Sequence, residues 1–274
     1  MPLGIDYAWS KPTAANIHAA GYSFVMRYLS HDESKDLSLP EAQALRAQGL
    51  GIGLVWETTA SRAGQGQAAG AQDGAEAKSR AADLGYPTAA ALYFAVDYDA
   101  DPAVVLPYFR GVQDCGHPVG VYGSARVVES GLAAGLAVYG WQTCAWSHGQ
   151  VSSKAHLYQR LRPTMHPIKG VQPGSYDENI QLAVDAGLWL PGQAPNVQTD
   201  PDPSPVEDDD MVCLIYCTDN KYPWVIATGL APNPIYLTNP TDIDQLTKAG
   251  AKKVRLQPDT YRQLAALSPI KDRL

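Results

Sequence analysis

The chain of 274 residues contains no uninterrupted apolar run of about 20 residues, the length that a helix needs to cross a bilayer. Its first residues show no basic segment followed by an apolar one, so we expect no secretory signal and synthesis in the cytoplasm. Membrane insertion is therefore not expected. If the protein acts outside the cell that makes it, some other agent has to release it.

Cysteine is scarce, and its spacing does not suit metal binding. Cys115, Cys144, Cys213 and Cys217 form no CxxC pair, and the six histidines show no HExxH motif. Cys213 and Cys217 lie four positions apart in one strand-like run, which is a poor geometry for a mutual disulfide. We therefore expect buried free thiols from a reducing compartment, no zinc site and no cofactor.

Positive charge is also in short supply, with 21 basic against 28 acidic side chains. Residues 1–191 carry 13 basic and 17 acidic side chains, and residues 192–210 carry six acidic and no basic ones. Nucleic acid is not an expected partner, because phosphate binding needs clustered lysine and arginine. Residues 211–274 have eight basic and five acidic side chains, a modest excess that would suit an anionic polymer. Ordinary surface variation explains that excess equally well.

A change of composition divides the chain into two parts. Residues 192–210 are rich in proline and aspartate and contain few large apolar side chains, so we predict an extended linker there. The linker would join a main domain at 1–191 to a small α+β module at 211–274. Within that module the sequence predicts strands at 212–216, 224–227 and 253–256, and helices at 242–249 and 259–267.

The main domain alternates strand and helix signals, and eight predicted strands favour a closed (β/α)8 barrel of the TIM type. About 190 residues is short for this fold, so we expect reduced outer helices late in the chain. A doubly wound open sheet is the alternative, but no glycine-rich loop follows the first strand. The predicted strands are 4–7, 23–29, 51–57, 92–99, 119–123, 139–146, 155–161 and one that starts at 176 and runs into a helix ending at 190. The other predicted helices are 39–48, 67–84, 102–116 and 124–136.

Four of these strand-like segments end in a carboxylic acid, and this is the most informative pattern in the chain. The acids are Asp6, Glu57, the pair Asp97 and Asp99, and Asp177. Parallel strands in a barrel would bring these side chains to one rim, where a group of carboxylates suits acid–base chemistry on glycosidic bonds. Each acid alone is more typical of a cap or turn. We expect all four groups together to form a catalytic site.

Two details of this site follow from spacing and residue type. On a strand, Asp97 and Asp99 would share one face, so one of them would be partly protonated. Asp101 is the expected cap of the helix that opens at Pro102, and capping is also open for Asp99. Several polar and aromatic side chains fall on the same rim, where aromatic faces would stack on sugar rings. The predicted substrate-binding residues are Arg27, Tyr98, Tyr122, Trp141, Gln159 and Asn179.

Six segments in this order resemble the glycoside-hydrolase-like domain of unknown function 1906. They are 4–7 (GIDY), 24–29 (FVMRYL), 49–52 (GLGI), 93–99 (YFAVDYD), 108–111 (YFRG) and 119–123 (VGVYG). That family is a TIM-barrel relative of the family 25 muramidases and occurs in actinobacterial proteins and phage lysins. The resemblance covers about residues 3–190 and implies that Asp6, Asp97, Asp99 and Asp177 correspond to acids of the muramidase cleft.

The sequence departs from the muramidase pattern at one place. Family 25 enzymes end the fourth strand in Asp-x-Glu, with the glutamate as general acid, whereas this chain has Asp97-Tyr98-Asp99. Three interpretations stay open: Asp99 donates the proton from a shifted position, Glu57 takes over that role, or the cleft binds glycans without cutting them. In the first two, Asp97 and Asp6 would stabilise the oxocarbenium-like centre or position the substrate.

The expected function is that of a phage-type lysin that hydrolyses glycan strands of bacterial peptidoglycan. A barrel, a tether and a terminal module match the architecture of lysins, in which a wall-binding module concentrates the enzyme on its polymer. The module would bind the wall, with an anionic wall polymer as a candidate ligand, and the protein would act there after release or on a virion. The alternatives are a non-catalytic glycan-binding protein or virion tail component, and an amidase or peptidase on the same polymer.

Overall fold

Eight strands close into a barrel in a computed structural model, which describes residues 1–160, 166–172 and 174–193 and the backbone of four later strands. Hydrogen-bonded neighbours follow the order of the chain, and β8 closes the ring against β1. The predicted barrel is therefore confirmed. The strands are β1 Leu3–Asp6, β2 Phe24–Leu29, β3 Gly51–Trp56, β4 Leu92–Ala95, β5 Val119–Gly123, β6 Tyr139–Thr143, β7 Leu157–Arg160 and β8 Asp177–Gln181.

Five α-helices lie between consecutive strands from β1 to β6. The described residues after β6 contain no helix. The expected loss of helices late in the chain is thus confirmed for the described residues. Four of the five helices begin at a side chain that accepts a hydrogen bond from the first turn, and one of these is the expected cap Asp101. The helices are α1 Ala14–Ala19, α2 Leu39–Ala47, α3 Gly66–Asp83, α4 Pro102–Gly111 and α5 Ala125–Ala133.

Strand β8 differs from the prediction in its direction. It pairs antiparallel with both β1 and β7, whereas β1 to β7 run parallel. The helix expected to follow it is wrong as well. Gly187 has a φ of 63°, and Asp185 accepts a hydrogen bond from its amide at 2.8 Å, so a turn stands where the helix was predicted.

Side chains alternate between the inside of the barrel and the layer under the helices. On β2, Phe24, Met26 and Tyr28 belong to the interior cluster, while Val25 and Leu29 pack in the outer one. The same alternation on the other strands sets which side chains reach the mouth. The interior cluster comprises Phe24, Met26, Val55, Ala91, Tyr93, Ala95, Tyr122, Trp141, Leu157, Ala186 and Leu188, with Tyr28 and Tyr139 at its edge.

The chain divides into two compact units, Met1–Thr199 and Asp200–Leu274. The second contains a four-stranded sheet of order β11-β10-β9-β12, in which β12 pairs parallel with β9. Three of its strands match predicted ones, and β11 was not predicted. The two predicted helices of the module and most of the predicted linker lie outside the described residues. Its strands are β9 Val212–Cys217, β10 Trp224–Thr228, β11 Ile235–Leu237 and β12 Lys252–Leu256.

No helix within the described residues combines the length and the apolar character needed to cross a membrane.

Candidate active site

Each strand of the barrel contributes a polar or aromatic side chain to one mouth. This mouth is formed by the C-terminal ends of β1 to β7 and, because β8 is antiparallel, by the N-terminal end of β8. Burial raises the pKa of Tyr28, and the charges of Asp6, Glu57 and Asp97 raise it further, which places these groups together. The side chains at the mouth are Asp6, Tyr28, Glu57, Asp97, Tyr122, Trp141, Gln159, Asp177 and Asn179.

Asp6 is the centre of a buried hydrogen-bond network. Its Oδ2 accepts from Gln159 Nε2 at 2.9 Å and from Asn179 Nδ2 at 2.8 Å. Tyr122 donates to Gln159 Oε1 at 2.8 Å, and Trp141 donates to Asn179 Oδ1 at 2.7 Å. Since an indole N–H can only donate, Trp141 fixes the orientation of the Asn179 amide and turns its donor towards Asp6.

The two oxygens of Asp6 are therefore not equivalent. Oδ2 receives both amide donors. Oδ1 has no hydrogen-bond partner among the described residues, and it is not fully buried. A proton on this carboxyl group would sit on Oδ1, because Oδ2 is occupied by donors. The arrangement leaves one oxygen of a 3%-exposed carboxyl group free to donate into the mouth.

Electrostatics favour that protonated state of Asp6. Burial is the largest cause, and the nearby charge of Asp177 adds to it, so the pKa of Asp6 rises to about 7. The hydrogen bonds from Gln159 and Asn179 lower the pKa and limit the rise. Burial and the charge of Asp97 also raise the pKa of Asp177. The mouth therefore holds a carboxyl group that exchanges its proton near neutral pH.

Glu57 is paired with a cation. Lys35 Nζ lies 2.7 Å from Glu57 Oε1, and both side chains are largely buried. The same ammonium group lies 4.6 Å from the ring centre of Tyr28 and 5.5 Å from that of Trp9. Lys35 thus neutralises part of the negative charge on this side of the mouth and ties three loops together.

The structure separates Asp97 from Asp99. Strand β4 ends at Ala95, so neither acid lies on a strand, and the prediction that they share one strand face is wrong. Asp97 accepts a hydrogen bond from Trp146 Nε1 at 3.3 Å. Its charge adds to the effect of burial in raising the pKa of Asp177. Asp99 is exposed and contacts Arg126 and His148, so its carboxylate lies outside the group around Asp6.

Arg27 was predicted to bind substrate, but it lies on the outer side of the barrel wall. Its guanidinium group is fully buried, pairs with Glu41 at 2.7 Å and stacks over Tyr7 at 4.3 Å. It also donates to the carbonyl oxygens of Tyr7 and Lys35. Because neighbouring residues on a strand face opposite sides, it is Tyr28 that faces the mouth. The substrate-binding prediction for Arg27 is corrected accordingly.

Tyr98, the third corrected residue, lies in the loop after β4 and away from the mouth. It packs against the outer hydrophobic cluster, and its hydroxyl approaches Gly64 in the turn before α3. Tyr122, Trp141, Gln159 and Asn179, in contrast, meet at the mouth as the sequence predicts.

The sequence analysis missed two residues of the mouth, Tyr28 and Lys35. Tyr28 had a usable signal, since it continues the alternation of Phe24 and Met26 along β2. Lys35 lies in the loop between β2 and α2, and no local pattern marks its contact with Glu57. Among the described residues, no group of three or more acids, histidines or cysteines is arranged to hold a metal ion.

The family model described as the Rv2525c-like, glycoside hydrolase-like domain matches residues 15–186. The chain belongs to this family. The match covers the barrel from α1 to the segment after β8, and it agrees with the resemblance drawn from the sequence motifs. The fold of the first unit is therefore glycoside hydrolase-like.

Solved structures give the same result for the barrel. The Tat-secreted protein Rv2525c of Mycobacterium tuberculosis, in complex with L-tartrate, is 25% identical with a TM-score of 0.62. The match covers 69% of this chain and 99% of that one, and a second structure, in complex with HEPES, has a TM-score of 0.61 at the same identity and coverage. A bacterial lysozyme from Streptomyces coelicolor is 12% identical with a TM-score of 0.46, covering 66% of this chain and 92% of that one. No curated protein matches the chain.

Proposed function

We propose that the barrel binds glycan strands of bacterial peptidoglycan at its mouth and hydrolyses their glycosidic bonds. The observation that carries this proposal is the buried carboxyl group of Asp6 at the mouth, which lies opposite Asp177 and is held by Gln159 and Asn179 through one oxygen only. The rise of its pKa to about 7 lets this group donate a proton at neutral pH. Glycosidases commonly pair such a protonated acid with a second carboxylate. Membership of a glycoside hydrolase-like family supports the same class of substrate.

In the proposed mechanism, Asp6 donates its Oδ1 proton to the glycosidic oxygen of the leaving sugar as that bond breaks. Water then bonds to the anomeric carbon, and the proton that it loses restores the carboxyl group. The charges of Asp97 and Asp177 stabilise the positive charge that develops on the sugar ring, or hold the N-acetyl group in place. Glu57 is a weaker candidate for the acid, because its Oε1 is already engaged by the ammonium group of Lys35 at 2.7 Å. Asp99 is a weaker candidate as well, because both its oxygens contact cationic or ring nitrogen groups away from Asp6.

The proposed place of action is the bacterial cell wall. Rv2525c is a Tat-secreted protein, which supports action outside the cytoplasm for this family. The more specific role of a phage-type lysin, with residues 211–274 as a wall-binding module, rests on the order of barrel, linker and module in the sequence.

A glycan-binding protein without catalysis is the second candidate. The observation that favours it is that two acids considered for the proton-donor role, Glu57 and Asp99, are engaged in ion pairs. The cleft would then act as a lectin, with Tyr122 and Trp141 supporting its floor.

The deciding experiment incubates the full chain with purified bacterial cell walls and measures both reducing ends and pelleted protein. Hydrolysis predicts reducing ends from the native protein and none from Asp6→Asn, with both proteins still bound to the walls. Binding alone predicts pelleted protein without reducing ends, and weaker pelleting in Asp97→Asn, where only the module at 211–274 would still hold the walls. The exposed Asp114→Asn is the matched control and should behave as the native protein. Neither binding nor product would contradict both candidates.

A further inference from the structure

The carboxylate of Asp99 holds two partners from different elements. Its Oδ1 lies 2.5 Å from Arg126 Nη2, on the first turn of α5, and its Oδ2 lies 3.2 Å from His148 Nε2. His148 belongs to the rim loop, residues 144–150 between β6 and β7. Asp99 therefore links the loop after β4 to the start of α5 and to the rim loop.

The rim loop is fixed at a second point and carries a constrained residue. Ser147 Oγ donates to the carbonyl oxygen of Thr143 at 2.5 Å and accepts from the amide of Ala125 at 2.9 Å. His148 has a φ of 50°, a left-handed conformation that non-glycine residues seldom adopt, and Gly149 follows with a φ of 78°. Contacts of the His148 side chain thus help to hold the backbone in this conformation.

The same loop reaches the acids of the mouth. Trp146, two residues before His148, donates its indole N–H to Asp97 Oδ1 at 3.3 Å. The two acids of the Asp97-Tyr98-Asp99 motif therefore contact the two ring side chains of one loop. Asp97 receives the tryptophan at the mouth, and Asp99 receives the histidine at the exposed edge.

We propose that Asp99 is a positioning residue that acts through the rim loop. By holding His148 and Arg126, it keeps Trp146 against Asp97 and so fixes the direction of the Asp97 carboxylate in the mouth. Asp99 itself does not touch the substrate. The consequence for turnover rests on the proposed function, whereas the link from Asp99 to Trp146 does not depend on it.

The geometry of Asp99 distinguishes this role from that of a proton donor. Its side chain is 41% exposed and both oxygens are engaged by partners. A proton donor in a glycosidase needs an oxygen that is free of other partners, and among the described residues Asp6 Oδ1 has none. The second acid of the motif is therefore used for structure at the rim.

The link is tested by fluorine NMR on the full chain labelled with 5-fluorotryptophan. The chain has six tryptophans, and Trp146→Phe identifies the signal of Trp146. We expect Asp99→Asn and His148→Ala each to move this signal, and the double variant to move it no further than the larger single change, because both break one link. The exposed Asp114→Asn should leave it in place. An unmoved Trp146 signal in Asp99→Asn overturns the proposal, whatever the activity.

Activity on cell walls provides the second readout. A positioning role held by exposed ion pairs predicts a loss of less than about tenfold in Asp99→Asn, with partial recovery in Asp99→Glu. A proton donor would lose about 100-fold or more, as we expect for Asp6→Asn. A loss in Asp99→Asn equal to that in Asp6→Asn overturns the proposal. If the native protein releases no product, hydrolysis fails as a function, and the fluorine signal alone decides the role of Asp99.

Discussion

Asp6 and Asp177 face each other directly across the antiparallel pair of β1 and β8. Asp6 is the last residue of β1 and Asp177 the first of β8, so the reversed strand brings both to the same mouth. Opposed residues in such a pair have Cα atoms about 4.5–5.5 Å apart. Burial and, at that separation, the charge of Asp177 raise the pKa of Asp6 to about 7. Asp6 is therefore both the proposed acid and a group whose ionisation destabilises the fold.

Replacing Asp6 by asparagine should stabilise the protein above neutral pH. The carboxyl group of Asp6 ionises near 3.8 in the unfolded chain and near 7 in the folded one, so the folded state retains its proton longer. Its contribution to stability is complete below about pH 4 and is lost as the pH rises to about 7.

Asparagine avoids this loss, so we expect the free energy of unfolding of Asp6→Asn at pH 8 to exceed that of the native protein by on the order of 2 kcal/mol, and at most about 4. Urea unfolding at pH 4 and pH 8 measures this difference, which should vanish at pH 4. Equal differences at both values would contradict the pKa assigned to Asp6.

The pH dependence of turnover should move in opposite directions in two variants. In the proposed mechanism turnover requires the protonated form of Asp6, so it should fall as the pH rises through about 7. Asp177→Asn removes a charge that raises the pKa of Asp6, and the fall should move to lower pH. Gln159→Leu removes a hydrogen bond that lowers this pKa, and the fall should move to higher pH.

Initial rates on cell walls between pH 5 and pH 9 give both midpoints. A shift of the two variants in the same direction would contradict Asp6 as the titrating group.

Substitutions of the neighbouring residues Arg27 and Tyr28 on β2 should affect different properties, stability for the first and turnover for the second. Arg27→Met leaves Glu41 without its buried partner and should cost about 3–5 kcal/mol of stability. Turnover per folded molecule should stay close to native, because Arg27 lies outside the mouth. Tyr28→Phe should keep the stability and change turnover by about two- to tenfold, as expected for one polar group at the mouth.

The double variant Arg27→Met with Glu41→Leu serves as a control for folding, because removing both partners of a buried ion pair is far less costly than removing one. If it recovers stability but lacks turnover, Arg27 has a role at the mouth after all.

The alternation of side chains explains how much of the site could be predicted. Strand order, the barrel and the convergence of Asp6, Glu57, Asp97 and Asp177 follow from apolar strands that finish on acids. The prediction for Arg27 is wrong because this residue lies near a strand end but on the outer face of β2. Counting in steps of two from Phe24 selects Tyr28 instead.

Other features depend on long-range contacts that no local pattern contains. Strand β4 stops at Ala95 although apolar character continues to Val96, so the local motif predicts a shared face for Asp97 and Asp99 that the structure lacks. The direction of β8 is set by its pairing with β1 and β7. Strand β1 lies at the other end of the barrel sequence, so no local pattern near β8 contains this information. Lys35 meets Glu57 only because two loops fold together at the mouth.

A close crossing of α3 and α4 allows a test of the barrel's outer layer. A Cβ atom at Gly70 would overlap the carbonyl oxygen of Tyr108, whereas one at Gly74 would lie 3.3 Å from Val112 Cα. We expect Gly70→Ala to lower the free energy of unfolding by about 1–3 kcal/mol. Gly74→Ala should be close to neutral, because a better helix propensity of about 1 kcal/mol offsets the tighter contact.

Thermal or urea unfolding of the two variants gives the comparison. Equal effects would mean that the helices separate more easily than the structure implies.

The filled interior of the barrel determines how a long polymer can approach Asp6. Ala186 and Leu188, from the segment after β8, join Met26 and Tyr93 in one packed cluster, and the Tyr93 hydroxyl donates to the carbonyl oxygen of Ala186 at 2.8 Å. The barrel is thus a cup with one opening, and no chain can thread through it. A glycan strand, the proposed substrate, would have to lie across the opening, where an internal bond is reached without a free chain end.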